Sequence, residues 1–176
     1  APVLYAGTGP ATDSNTLWND LKISLSAVGD TGTNTIVHPI QFNNLTASDG
    51  TPTSIDIQLT SGFNASFNGT AASTSSVASL QNDRVFPKSG QLATLKIQGL
   101  NPSKLYGLYF IGASSYSTAF TVNSLSKVAA GNNHDGTWTE GGEFVSFNSV
   151  SPSATGEIVV GIQDGAAPID SFGVIA

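Results

Sequence analysis

The chain has 176 residues, enough for one ordinary domain, with 6 basic and 12 acidic side chains and a formal net charge of −6. Charged residues make up only 10%; polarity comes instead from 23 Ser, 18 Thr and 13 Asn, and 39% hydrophobic residues suffice for a buried core. Six scattered Lys and Arg exclude a phosphate-tracking stripe, so nucleic acid is no partner. Apolar runs as short as 158-IVVGI-162 exclude membrane insertion, and a chain without Cys has no disulfide, thiolate nucleophile or Cys-ligated zinc.

The chain also lacks Met, and it opens 1-APVLYAG, which reads as a mature N-terminus left by signal-peptidase cleavage. The expected setting is secreted or cell-surface, and the missing disulfides favour a prokaryotic source. Sequons at Asn44, Asn64 and Asn68 carry little weight in so Asn- and Thr-rich a chain.

Helical periodicity is confined to 15-NTLWNDLK-22, with Ser14 or Asn15 as N-cap and Trp18 as core or sheet-end packing. From there the pattern has period two. The segment 21-LKISLSAV-28 puts Leu21, Ile23 and Leu25 on one face. The inward set is Ile55, Ile57 and Leu59 in 53-TSIDIQLT-60, and Ala93, Leu95 and Ile97 in 92-LATLKIQGL-100. His38, ahead of Pro39, reads as a hydrogen-bonded strand-end residue, and 71-AASTSSVAS-79 as a surface loop. More fully buried strands are expected at 105–113, 117–125, 143–150, 157–163 and 169–176. Dense turn chemistry separates them, as at Asn101-Pro102, Gly141-Gly142 and Asp164-Gly165. Short strands so punctuated predict a single all-β domain over residues 1–176. The expected form is an antiparallel β-sandwich of eight to ten strands rather than βαβ units.

Three stretches carry a family resemblance: 18-WN with 48-SDGTPTSIDIQLTSGFN-64; 94-TLKIQGLNPSKLYGLYFIGASS-115; and 119-AFTVNS-124 with 155-TGEIVVGIQ-163 and 168-PIDSFGVIA-176. Their order resembles the galactose-binding-like β-sandwich (jelly-roll) domains of exported bacterial proteins. The matching residues are structural: Leu100, Pro102 and Tyr106 shape a hairpin, and Gly156 and Ile158 start a strand. The chain departs at Asp170-Ser171, where the closing strand of the family often has Asn-Gly. The resemblance implies a jelly roll, a secreted or surface setting, carbohydrate-binding, accessory or adhesive roles, and in many members a structural calcium ion.

The richest segment for chemistry is 131-GNNHDGTWTEGGEF-144. A sugar site needs a flat apolar platform for the C–H face of the ring and planar polar partners for its hydroxyls. Trp138 supplies the first, and Asn132, Asn133, His134 and Asp135 the second. The competing reading is a long hairpin connection in which Asn and Gly take positive φ and Trp138 caps the core. Tyr116, between two serines at a strand start, is a further candidate for the ligand surface. For a hard cation such as Ca²⁺, Asp49 and Thr51 offer oxygen ligands in 48-SDGTPTSID-56 and Asp135 in 132-NNHDG-136; otherwise each Asp forms an Asx-turn beside its Gly.

No catalytic residue is assigned. Glu140 and Glu143 form an acid–base pair only if their carboxylates stand at the right separation across a sugar, which spacing does not show. The string 112-GASSY-116 lacks the closing Gly of a nucleophile elbow. The expectation is a non-catalytic extracellular binding module with carbohydrate as ligand. The alternative is a structural subunit of a surface layer, matrix or filament, with other copies of itself as partners. In that case 2-PVLYA-6 could add as a strand to a neighbour's sheet.

Overall fold

The computed structural model describes residues 38–47, 51–68, 83–87, 91–112, 117–131, 137–164 and 173–175. These residues are all-β: they form eleven strands and no helix. The strands are β1 (Ile40–Phe42), β2 (Asp56–Ser61), β3 (Phe63–Asn68), β4 (Asp83–Pro87), β5 (Ala93–Gln98), β6 (Tyr106–Gly112), β7 (Thr118–Val122), β8 (Leu125–Ala129), β9 (Phe144–Val150), β10 (Ile158–Asp164) and β11 (Gly173–Ile175). No helix among the described residues is long and apolar enough to cross a membrane. The expected helical turn at 15–22, the strand at 21–28, Trp18 and the loop at 71–79 lie outside the described residues.

Two antiparallel sheets result, of order β1-β2-β5-β10-β7-β8 and β3-β4-β11-β6-β9. Only β1–β2, β3–β4 and β7–β8 connect within a sheet; every other connection crosses from one sheet to the other. As a consequence β10 lies between β5 and β7, and β11 between β4 and β6. Period-two alternation sends one face of each sheet inward, and the two inner faces share one cluster. The six-stranded sheet contributes Ile57, Leu59, Leu95, Phe120, Val160 and Ile162, and the other Phe63, Val85, Phe110, Val145 and Phe147. The predicted inward sets hold: Ala93, Leu95 and Ile97 are buried, as are Ile57 and Leu59, with Ile55 packed against them.

The strand expected at 117–125 is two strands. It stops at Val122, reverses through Asn123 (φ 47°) and Ser124 (φ 65°), and returns as β8, with Val122 paired to Leu125. A two-residue turn with both φ positive matches strand twist. Asn is at home there and Ser is not, so the sequence read as continuous alternation. A second irregularity keeps the core filled. On β9, Phe147 opposes Leu108 and Val150 opposes Tyr106, so β9 carries one residue more than β6 over this stretch. Ser149 takes φ 58° there, which lets Phe147 and Val150, three apart, both point inward.

The turn expected to open a hairpin at Leu100–Tyr106 instead carries the chain from β5 in one sheet to β6 in the other. Tyr106 packs its ring on the core and accepts the Asn101 N–H on its hydroxyl at 2.8 Å, while Asn101 Oδ1 accepts the Ser103 N–H at 2.9 Å. Leu100 N–H donates to the Gly156 carbonyl at 3.1 Å, tying this turn to the start of β10. His38 stands just before β1, its ring centroid 6.1 Å from that of Phe63.

The outer face of the six-stranded sheet is polar along β1, β2 and β5. Gln58 donates to Gln41 (2.9 Å), Gln41 to Gln98 (3.3 Å) and Gln98 to Glu157 Oε1 (2.6 Å), with Lys96 Nζ 3.6 Å from Glu157 Oε2. The Gln98 hydrogen bond, and then the Lys96 charge, hold the Glu157 carboxyl below its ordinary range.

Candidate functional site

Residues 137–143, which lead into β9, form a compact hook. Ala130 and Gly131 donate to the carbonyls of Gly141 and Gly142, each at 2.9 Å, so the two arms of the connection lie side by side. The Thr139 carbonyl accepts the N–H groups of Gly142 (3.0 Å) and Glu143 (3.1 Å), and Thr139 donates its own N–H to Glu143 Oε2 at 2.9 Å. Gly141, at φ 83°, donates to the Phe144 carbonyl at 2.7 Å. Glycine is needed at position 141 because the hook reverses in the left-handed region.

The hook places Trp138 against the outer face of the five-stranded sheet. Alternation puts Tyr109 and Ile111 of β6 on that face, beside Ser146 and Phe144 of β9. Ile111 and Phe144 are buried there as a second apolar cluster, covered by the half-buried Tyr109 and Trp138. The Trp138 ring meets Phe144 edge-on, at 6.3 Å and 79°, and Tyr109 tilts against Phe144 at 6.1 Å. Edge-to-face contact suits the ring quadrupoles and fixes the indole plane. This second cluster is why β6 and β9 look buried on both faces in the sequence.

Glu140 sits at the rim of this patch. Its Oε1 accepts the Ser146 hydroxyl (2.8 Å), the Ser146 N–H (3.1 Å) and Lys127 Nζ (3.0 Å). The Lys127 hydrogen bond, then those from Ser146, hold the Glu140 carboxyl below the usual glutamate range. Lys127 comes from β8, the edge of the other sheet, and its ammonium lies 5.6 Å from the Phe147 ring centroid.

Of the predicted site residues, Trp138 and Thr51 fall among the described residues. Trp138 stands on the patch. Asn132, Asn133, His134, Asp135, Tyr116 and Asp49 lie outside the described residues. Thr51 is exposed, and its carbonyl already accepts the Ala47 N–H at 2.9 Å. The described residues contain no group of three or more His, Asp or Glu that could hold a metal ion.

Glu140 and Glu143 are each engaged with backbone N–H groups, one on β9 and one within the hook. A carboxylate held below its ordinary range is also a poor base for the Ser146 hydroxyl, so that contact reads as capping of a strand edge. Sequence reasoning missed Tyr109, Phe144, Ser146 and Lys127. Only the alternation of β6 and β9 could have flagged the first three, and nothing local could have flagged Lys127. In comparison with known proteins, the chain matches no protein family, no curated protein and no solved structure.

Proposed function

We propose that this chain is a non-catalytic, extracellular binding module of the galactose-binding-like jelly-roll type, and that it takes carbohydrate on the patch around Trp138. The observation that carries the reading is the indole itself. It is half-buried and braced edge-on by Phe144, and Glu140, two residues further along the chain, pairs with the ammonium of Lys127. A braced indole offers a flat apolar platform to the C–H face of a sugar at little ordering cost, and charged neighbours offer hydrogen bonds to its hydroxyls. Asn132, Asn133, His134 and Asp135 precede Trp138 closely in the chain and supply the rest of the polar set in this reading.

Screening on a glycan array, followed by affinity electrophoresis in the best polysaccharide, tests it. Trp138→Ala should weaken binding at least tenfold, about 1.4 kcal/mol, with little change in the far-ultraviolet circular dichroism. Absence of binding to every glycan, or unchanged binding by the variant, ends the reading.

A structural calcium ion belongs to the same proposal. A cation bound only by the folded state at a hundredfold excess over Kd stabilises by about 2.7 kcal/mol. Millimolar Ca²⁺ should then raise the melting temperature of EDTA-stripped protein by roughly 5–10 °C, and Mg²⁺ at equal ionic strength should not. Identical melting in Ca²⁺, Mg²⁺ and EDTA removes calcium from the proposal.

A second reading, a self-assembling surface or matrix subunit, is favoured by exposed apolar side chains on the six-stranded sheet. Val128 and Val159 are 44% and 48% exposed there, opposite Ala119 and Lys96, and Leu92, 54% exposed, reaches over Gly161. Electron microscopy and light scattering, with and without Ca²⁺, decide it; a strictly monomeric protein under all conditions ends it.

A further inference from the structure

One carboxylate joins three parts of the molecule at the Trp138 patch. Glu140 belongs to the hook, Ser146 to β9 and Lys127 to β8, and all three meet at Glu140 Oε1. Among the described residues β8 and β9 are the terminal strands of their respective sheets. The Lys127–Glu140 pair therefore crosses from one sheet edge to the other. Trp138 lies two residues before Glu140, and the ring it rests on, Phe144, lies two residues before Ser146. The spacing couples them: whatever holds Glu140 to Ser146 also holds the indole over Phe144.

We propose that Glu140 is the positioning residue of the Trp138 platform and acts as an acid-sensitive latch. With the carboxylate charged, the hook is drawn onto β9 and the indole is fixed. Protonation removes the attraction to Lys127 and weakens acceptance from Ser146, and the indole loosens from Phe144. The sign follows from the direction of the shift. A carboxylate held low in the folded state keeps the latch closed above its ordinary titration range and opens it as pH falls through the lowered value. Among the described residues, the ionisable groups around the latch are Lys127 on β8, Glu143 within the hook and Tyr109 on β6 beside Ser146. As a consequence that rests on the carbohydrate reading, the platform should release its glycan in acid.

The test labels the full chain with 5-fluorotryptophan. Of its two tryptophans, the Trp138 resonance is identified by its loss in Trp138→Phe. In the wild-type protein the Trp138 fluorine signal should move as the pH falls from 7 into acid, with its midpoint below the ordinary glutamate range. The far-ultraviolet circular dichroism should stay unchanged over the same range. Glu140→Ala should show the acid position already at pH 7. Glu140→Gln is the uncharged isostere of the protonated acid, so it should also sit near the acid position at pH 7 and lose the titration. Lys127→Met should move the midpoint upward.

A Trp138 signal that does not titrate overturns the proposal. So does a titration that persists in Glu140→Gln, which would assign it to another group. The glycan arm is separate: for a glycan bound at pH 7, affinity should fall at least fivefold in the wild type across the titration of the Trp138 signal, and in Glu140→Gln it should be weak and flat with pH. Failure of the wild type to bind any glycan ends the carbohydrate reading and leaves the fluorine result to judge the latch alone.

Discussion

Replacing Phe110 by alanine is expected to cost about 3–5 kcal/mol, the largest single loss foreseen for this molecule. Phe110 is 1% exposed at the centre of β6 and spans the gap between the sheets. Its ring stacks on Phe120 of the six-stranded sheet at 5.1 Å and 11°, and meets Phe147 of β9 edge-on at 5.8 Å and 69°. Truncation therefore removes the buried surface of one ring and strips two others of a partner, in a place where neither backbone can close in. Against a total of about 5–15 kcal/mol, such a loss is a large share. It should lower the melting temperature by roughly 6–20 °C. Urea unfolding followed by tryptophan fluorescence measures it. Phe110→Leu should recover more than half, and a loss below about 1 kcal/mol for the alanine variant would show that the core closes around the gap.

Gly156→Ala should cost about 2–4 kcal/mol, although it adds a single carbon. Gly156 has φ 75°, which already penalises any L side chain by about 1–2 kcal/mol. The added Cβ would also run into the Leu100 carbonyl oxygen, which is backbone and cannot swing away. Because Leu100 donates its own N–H to the Gly156 carbonyl, relieving the clash breaks the tie between the two loops. Gly141→Ala is the matched control. Its φ is 83°, yet a Cβ there meets nothing within 4 Å, so its cost should stop at the conformational penalty. Equal destabilisation of the two variants by chemical denaturation would refute the steric part of the argument.

Both positions bear on what the sequence reveals. The inward sets of β2 and β5 were legible because alternation is a local property of seven or eight residues. The turn at Leu100–Tyr106 was legible because Asn-Pro fixes a turn, but it crosses from one sheet to the other rather than closing a hairpin. Three strands, β1, β3 and β4, gave no pattern that stood out. β1 spans three residues and β3, FNASFN, is polar in half its positions. The extra residue near Ser149 also breaks the alternation on which a reading of β9 depends. The candidate site was legible only at Trp138. Lys127 and Glu140 are thirteen residues apart, on different sheets' edges, and their meeting follows from how the two layers stack. Glu140 and Glu143, three residues apart, suggest paired chemistry on paper. Their carboxylates instead take backbone donors in different directions, because a four-residue turn has more N–H groups to satisfy than its own carbonyls can serve.

The strand order has a consequence for biosynthesis. β10 sits between β5 and β7, and β11 sits between β4 and β6, so each sheet receives one of its inner strands after both neighbours in that sheet have been made. While a ribosome is still working through β9, the six-stranded sheet exists only as two fragments, β1-β2-β5 and β7-β8, with unsatisfied backbone between them. Translation at about 5–20 residues per second gives that open state a lifetime of a second or more. For that interval the nascent chain presents two bare strand borders and a half-covered apolar layer, the features that recruit stray polypeptides. Completion of both sheets consequently waits until β11 has emerged, and it is slow because its pairings are distant in sequence.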